Sequence, residues 1–199
     1  FQSVAFLVDE RINLIIPESI YQSENNDKLL GFGFTLPQNH SLLTDRLDRY
    51  KAVNVFALSN NLQGKLKTKW PELSFHHSSS VFLKSLPQNG TPTMFVNVRN
   101  RNFDTAIKDD QLLFFNNFVF NTKDDFAYFL LFAMEQNGCS GQDTTVCFSG
   151  LILPSSEIID LCGRYVKDIR FVDDPQELQV SQALREVPFQ YYHLLYQAL

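Results

Sequence analysis

The sequence has few cysteines, no excess of positive charge and no long apolar run. Its 199 residues include three cysteines, and its 17 basic residues are outnumbered by 22 acidic ones, which gives a net charge of −5. Cys139, Cys147 and Cys162 are too few for a disulfide framework, and their spacing matches no zinc site. Nucleic-acid binders usually carry a basic excess that neutralises phosphates. We therefore expect reduced thiols, no metal site and no nucleic-acid partner.

Signals for membrane insertion or export are also missing. The longest apolar run, Phe126 to Met134, is far shorter than the ~20 residues that span a bilayer. No signal-peptide pattern is visible, so we expect a cytoplasmic protein without a membrane span. The chain begins with Phe1 rather than Met, and we expect that a further segment precedes it.

What the sequence does contain is typical of a globular protein with a large aromatic core. Apolar residues make up 44%, charged residues 20%, and phenylalanine occurs 19 times. Each buried ring removes roughly 150–250 Å² from water, so no covalent staple is needed. A polar turn with two prolines, Pro87 to Pro92, predicts a boundary between two halves, residues 1–89 and 90–199.

The second half has the clearer pattern. Three apolar runs predict an antiparallel meander, and a helix follows that Thr122 and Asp125 cap and Gly138 ends. A short strand, a helix capped by Ser155 or Ser156, and another strand come next, and Pro188 suits the start of a terminal helix. The predicted strands are Thr93–Val98, Phe103–Lys108, Gln111–Phe120, Thr144–Phe148 and Ile169–Val172.

The first half is harder to assign. Val4–Val8 and Ile12–Ile16 predict a hairpin around residues 9–11, and Leu29–Leu36 predicts another strand. The remaining predicted elements are a strand at Val53–Leu58, a helix capped by Ser59 or Asn60 that ends at Trp70, a strand at Leu73–His77 and a helix at Ser78–Leu86.

A meander followed by helix, strand, helix and strand resembles the ribonuclease-H-like unit, and two such units make the actin-like ATPase fold. Five motifs strengthen the resemblance: residues 52–56 (AVNVF), 70–71 (WP), 75–77 (FHH), 112–118 (LLFFNNF) and 124–132 (DDFAYFLLF). They resemble a bacterial family, typical of the Bacteroidetes, that has the actin-like ATPase fold and no assigned activity. The resemblance implies an α/β protein with two ribonuclease-H-like halves, in which mixed sheets are flanked by helices. It also implies that the first half is N-terminally incomplete.

The resemblance also implies where a nucleotide would bind. The second phosphate hairpin of actin-like ATPases matches Asn97 to Asn102, where Asn97 replaces the usual aspartate and glycine is missing. Arg99 and Arg101 lie in this hairpin and carry charge that attracts phosphate. The adenosine-binding strand end matches Gly150, which stands alone where the family has two glycines. We expect no catalytic residue and no cofactor; the alternative is ATP with Mg²⁺ held by these four residues.

Other chemistries have less support. A two-metal nuclease needs a carboxylate on the first strand, where Asn97 is neutral. His76 and His77 point to opposite faces of a strand and cannot share one metal, so we expect one packed and one exposed histidine. No Gly-x-Ser-x-Gly elbow occurs.

Two functional hypotheses remain. The first is a non-catalytic interaction or adaptor module that recognises another protein. The second is an ATPase with unconventional nucleotide ligands. Tyr191, Tyr192 and Tyr196 are a candidate contact patch, or they dock a terminal helix.

Overall fold

A computed structural model of the chain describes residues 4–87, 91–173 and 186–198. The chain folds into two compact units, the first made of Phe1–Ser85 and Gln197–Leu199 and the second of Leu86–Tyr196. The predicted boundary at residues 89 and 90 lies outside the described residues, as does most of the tail that precedes Pro188. The division into halves 1–89 and 90–199 stays a prediction.

Ten strands and six helices are formed by the described residues. The strands are β1 Ala5–Val8, β2 Asn13–Pro17, β3 His40–Leu47, β4 Ala52–Ser59, β5 Ser74–His77, β6 Thr93–Val98, β7 Asn102–Lys108, β8 Leu112–Val119, β9 Thr145–Gly150 and β10 Asp168–Phe171. The helices are α1 Asn26–Gly31, α2 Asn60–Lys69, α3 Ser78–Ser85, α4 Lys123–Gln136, α5 Glu157–Cys162 and α6 Phe189–Gln197. None of these helices is both long enough and apolar enough to cross a lipid bilayer.

The first unit contains two separate sheets. β4 is the central strand of a three-stranded antiparallel sheet in the order β2-β4-β3, whereas β1 and β5 form a parallel pair. β4 is buried along nearly its whole length because its run of apolar residues covers both faces. Ile16, Val53 and Val55 pack with Leu30 of α1 into one small core.

Two sequence expectations for this unit are wrong, and one strand was not expected. The predicted hairpin of Val4–Val8 and Ile12–Ile16 has correctly placed strands, but they pair with β5 and β4 in different sheets. The predicted strand Leu29–Leu36 does not form. Its first residues belong to the helix α1, which ends at Gly31 and has a fully buried Leu30. The strand β3 was missed because Thr44, Asp45 and Arg46 interrupt its apolar residues.

The second unit has the predicted order of elements. Its five strands form one sheet in the order β10-β9-β6-β7-β8, with β6, β7 and β8 antiparallel and β6, β9 and β10 parallel. This topology confirms the meander and the strand–helix–strand that follows it. The helices α4 and α5 cover one face of the sheet, where Met94, Phe103, Phe126 and Phe148 are buried in a large apolar core.

Local capping explains why α4 is so well defined. The Thr122 side chain accepts a hydrogen bond from the Asp125 N–H at 3.1 Å, and the Asp125 carboxylate accepts one from the Thr122 N–H at 3.0 Å. Hydrogen bonds that the carboxylate accepts from the Asn121 and Thr122 N–H groups lower the pKa of Asp125, so the carboxylate is charged beside the positive end of the helix dipole. Gly138 follows the helix with a φ of 67°, the left-handed conformation that ends many helices.

The terminal helix α6 begins directly after Pro188, as predicted. Its first residues, Phe189 and Gln190, are buried, and the Gln190 side-chain amide donates a hydrogen bond to the Ile152 carbonyl at 3.3 Å. The Phe189 ring packs edge-on against Tyr192 and Tyr196. The aromatic residues of the tail therefore contribute to the packing of α6.

Candidate functional site

The predicted phosphate hairpin is the turn between β6 and β7. The Arg99 N–H donates to the Asn102 carbonyl at 2.8 Å, so only Asn100 and Arg101 form the loop. Among the non-glycine residues that the structure describes, positive φ angles occur at Asn39 and Lys51, not in this turn. A concave nest of backbone N–H groups requires alternating right- and left-handed residues. The hairpin therefore offers no such nest to a phosphate group.

The two arginines of this hairpin have different surroundings. Arg101 is exposed, whereas the Arg99 guanidinium donates to the Asp104 carboxylate at 2.7 Å, and the two side chains are only 10% and 0% exposed. Asn117 also donates to Asp104, at 2.9 Å. The two buried charges depend on each other, because removal of either side chain would leave the other charge uncompensated. The charge of Arg99 is therefore balanced inside the unit.

Strand register explains how these side chains meet. Ser149, Asn97, Asp104 and Asn117 are directly opposite one another on β9, β6, β7 and β8. They form a polar row across the sheet, on the face opposite the apolar core. The Ser149 hydroxyl lies 3.2 Å from the Asn97 carbonyl oxygen Oδ1. The buried Asn97 Nδ2 has no hydrogen-bond partner among the described residues.

Gly150 ends β9 beside this polar row and has a φ of 86°, which only glycine adopts without strain. A Cβ atom there would overlap the Val98 carbonyl oxygen and lie 2.8 Å from the Val98 nitrogen and 2.9 Å from Asn97 Oδ1. The same Val98 carbonyl accepts a hydrogen bond from the Leu151 N–H at 2.7 Å. The structure thus brings Asn97 and Gly150 together, and close packing of two backbones accounts for the glycine.

ATP with Mg²⁺ is the ligand that an actin-like ATPase fold implies, and these residues do not fit it. The hairpin has no nest, the Arg99 guanidinium is engaged by Asp104, and the space beside Gly150 is filled by Val98. Within the described parts of the chain, no group of three or more His, Cys, Asp or Glu residues is placed to hold a metal ion. No nucleotide-dependent step follows from this arrangement.

A second polar cluster lies in the first unit and was not anticipated from the sequence. The buried carboxylate of Asp45 on β3 accepts a hydrogen bond from His76 Nδ1 at 2.9 Å and another from the His77 N–H at 2.7 Å. His77 is fully buried, whereas the His76 side chain is 37% exposed. His77 is packed as expected, whereas His76 is half-buried and bonded to Asp45 rather than fully exposed.

The hydrogen bonds of His77 determine which of its ring nitrogens carries the proton. Its Nδ1 accepts from the Ser79 N–H at 3.1 Å, so its Nε2 donates to the Glu10 carbonyl at 2.7 Å. This ring is a neutral link between β5, α3 and the segment after β1. Asp45 and His76 have the form of a carboxylate that orients a histidine base. In the described residues the hydrogen-bond partner of the His76 ring is Asp45, and no serine, threonine or cysteine side chain is hydrogen-bonded to it.

Further bonds tie the buried start of α3 to the strands. The Asn54 amide donates to the Ser80 hydroxyl at 2.8 Å and accepts from Asn13 at 3.2 Å, while Ser78 donates to Asp9 at 2.8 Å. A sequence signal for this cluster exists, since Asn54 interrupts the apolar run of β4. A polar residue on a fully buried strand needs a partner, although the sequence does not show which one.

Cys147 and Cys162 lack the low pKa of a nucleophilic thiol. Burial raises the pKa of Cys147 to about 11 and that of Cys162 to about 12. The thiolate, which is the reactive form, is therefore suppressed at neutral pH. All three cysteines are free, which agrees with the expected reduced state; Cys162 is buried and the other two are partly buried.

The fold is similar to solved structures with actin-like architecture. A Bacteroides thetaiotaomicron protein with actin-like ATPase fold and unknown function aligns with a TM-score of 0.77 and 17% identity over 86% of this chain and 69% of that one. A PilM–PilN type IV pilus biogenesis complex aligns with a TM-score of 0.63 and 11% identity over 98% of this chain and 78% of the other. No curated protein sequence matches the chain.

These likenesses confirm the α/β fold class with helix-flanked mixed sheets and the actin-like ATPase architecture expected from the sequence. The family model described as "Protein of unknown function (DUF3822)" matches residues 1–169. The chain therefore belongs to the DUF3822 family of proteins of unknown function.

Proposed function

We propose that this chain is a non-catalytic interaction module, an adaptor on an actin-like ATPase fold that recognises another protein in the bacterial cytoplasm. One observation carries the proposal. The positions that correspond to nucleotide ligands are used for internal packing and charge balance, as the Arg99–Asp104 ion pair and the contact of Gly150 with Val98 illustrate. A fold that has converted these positions to structural roles retains its surfaces for binding.

The likeness to a PilM–PilN complex supports a protein as the partner. In that assembly a protein with similar architecture is found with a second protein. Fold likeness at 11% identity does not carry the partner's identity to this chain. The proposal therefore names the class of partner, another protein, and leaves its sequence to experiment.

The test starts with crosslinking of the tagged chain inside cells of its native host. Each enriched protein is then purified and titrated against the chain by calorimetry, with and without Mg-ATP. We expect one purified protein to bind directly, with a dissociation constant that Mg-ATP does not change. Absence of direct binding by every enriched protein, or binding that requires ATP, contradicts the adaptor proposal.

The alternative is an ATPase with unconventional nucleotide ligands, Asn97, Arg99, Arg101 and Gly150. One observation favours it: Asn97 Nδ2 is a buried donor without a partner among the described residues. An unmet buried donor costs about 1–3 kcal/mol, which a ligand acceptor would recover. If Asn97 binds nucleotide, Asn97→Ala abolishes a melting-temperature increase that Mg-ATP produces in the wild type. Absence of that increase in the wild type rejects the alternative.

A further inference from the structure

The strand β8 lies at the end of the sheet in the second unit. In the order β10-β9-β6-β7-β8 it pairs, among the strands of the described residues, with β7 alone. An edge strand presents a row of backbone N–H and C=O groups that another strand can pair with. Charged residues and proline usually block such pairing, and the sequence from Leu112 to Val119, LLFFNNFV, contains neither.

The register identifies which backbone groups point outward. The Phe120 N–H donates to the Arg101 carbonyl at 3.0 Å, so Phe120 faces β7. Because residues of an antiparallel pair alternate in direction, Phe115, Asn117 and Val119 face away from β7. The Asn117 N–H donates to the side-chain oxygen of Asn116 at 2.9 Å, which agrees with this assignment. The preceding side chain thus covers one of the three outward donors.

A line of aromatic rings lies beside this edge, and we call it the aromatic ledge: Phe118, Phe129, Tyr128 and Phe132. Phe118 of β8 stacks on Phe129 of α4 with ring centroids 5.1 Å apart, and Tyr128 lies 5.3 Å from Phe129 and 6.1 Å from Phe132. Tyr128 and Phe132 are 61% and 42% exposed. An apolar strip beside an open strand edge favours an apolar strand as the occupant.

We propose that this edge is a self-association surface, on which β8 of a second copy of the chain adds in antiparallel orientation. A two-fold axis at Asn117 places Asn117 opposite its own counterpart and Phe115 opposite Val119. The three outward residues of each copy then exchange backbone hydrogen bonds with those of the other. Like residues meet at such an axis, so a charge would repel its own copy. The strand carries none, which favours a second copy over a charged partner segment.

Two substitutions with opposite expected effects test the proposal. Val119→Pro removes an outward N–H that β7 does not use, so the fold is retained while strand addition is blocked. Asn116→Ala removes the exposed side chain that covers the Asn117 N–H and leaves that donor open to a partner strand. We therefore expect Val119→Pro to weaken self-association at least tenfold and Asn116→Ala to strengthen it.

Sedimentation velocity from about 1 μM to about 1 mM covers the range in which weak and moderate dimers form. Far-UV circular dichroism verifies the fold of each variant, and amide hydrogen exchange at high concentration measures protection of Phe115 and Val119. A wild-type dimer that protects these amides and responds to both variants as stated supports the proposal. A wild type that stays monomeric, or a dimer that Val119→Pro leaves unchanged, overturns it.

Discussion

Substitution of Gly150 by alanine is the most informative perturbation of the second unit. The φ of 86° at this residue is strained for any residue with a Cβ atom, which costs about 1–3 kcal/mol. The new methyl group also overlaps the Val98 carbonyl oxygen and lies 2.8 Å from the Val98 nitrogen. Overpacking of this kind adds about 1–3 kcal/mol. We expect Gly150→Ala to lower the free energy of unfolding by about 2–6 kcal/mol.

The same substitution at Gly64 is a matched control. Gly64 lies inside the exposed helix α2, and a Cβ atom there meets nothing within 4 Å. Alanine is a better helix former than glycine, so Gly64→Ala should stabilise the protein by about 0.5–1 kcal/mol. The two variants carry the same chemical change and are predicted to have opposite signs.

Equilibrium unfolding in urea measures both variants, and the choice of probe matters. The single tryptophan, Trp70, lies in the first unit, so its fluorescence reports that unit, whereas far-UV circular dichroism follows both. For Gly150→Ala we expect the decrease in unfolding free energy to be visible in the transition followed by circular dichroism. A Gly150→Ala variant within about 0.5 kcal/mol of wild type, a typical surface effect, refutes the packing account of this glycine.

Three further predictions concern charge balance, capping and thiols. Arg99→Met removes the ion-pair partner of the buried Asp104 carboxylate and should lower the free energy of unfolding in urea by about 3–5 kcal/mol. Arg101→Met, at an exposed arginine two residues away, should lower it by under about 0.5 kcal/mol. Equal losses in the two variants contradict the ion-pair account. Thr122→Ala removes the α4 cap and should lower the free energy of unfolding by about 1 kcal/mol. An unchanged free energy of unfolding contradicts a stabilising role of the capping box. Because burial raises the pKa values of Cys147 and Cys162 to about 11 and about 12, both should alkylate slowly at pH 8 in the folded chain and fast in urea. Above their ordinary pKa of 9.0, both thiols lose their protons in the unfolded chain but keep them in the folded chain. The free energy of unfolding is therefore constant below about pH 9 and falls as the pH rises above it. An unfolding free energy that does not change between about pH 8 and pH 10 contradicts this.

Elements with strong local signals were predictable from the sequence. The strand β6 coincides with its predicted bounds, and α4 has the capping residues that its first turn indicates. Pairing between distant segments was not predictable, because β1 and β2 are close in sequence but pair with β5 and β4. Polar residues interrupt the apolar pattern of β3, so the local sequence does not indicate a strand. Pairing with its neighbouring strand stabilises the extended conformation of β3.

The candidate sites show the same limit. The positions Asn97, Arg99, Arg101 and Gly150 came from resemblance to a motif, yet the partner of Arg99 depends on strand register. Likewise Asp45 and His76 are 31 residues apart in the sequence. The resemblance therefore indicated candidate positions, and the pairing of strands determined which side chains meet.

The central claim is that the nucleotide positions of this fold now serve packing instead of ATP. Equilibrium dialysis of the purified chain against Mg-ATP tests it most directly, with a parallel melting experiment. Saturation at one hundred times a dissociation constant would stabilise the fold by about 2.7 kcal/mol, which is easily measured. We predict no retained nucleotide and no melting shift. One bound ATP per chain, with a matching increase in melting temperature, would contradict the account.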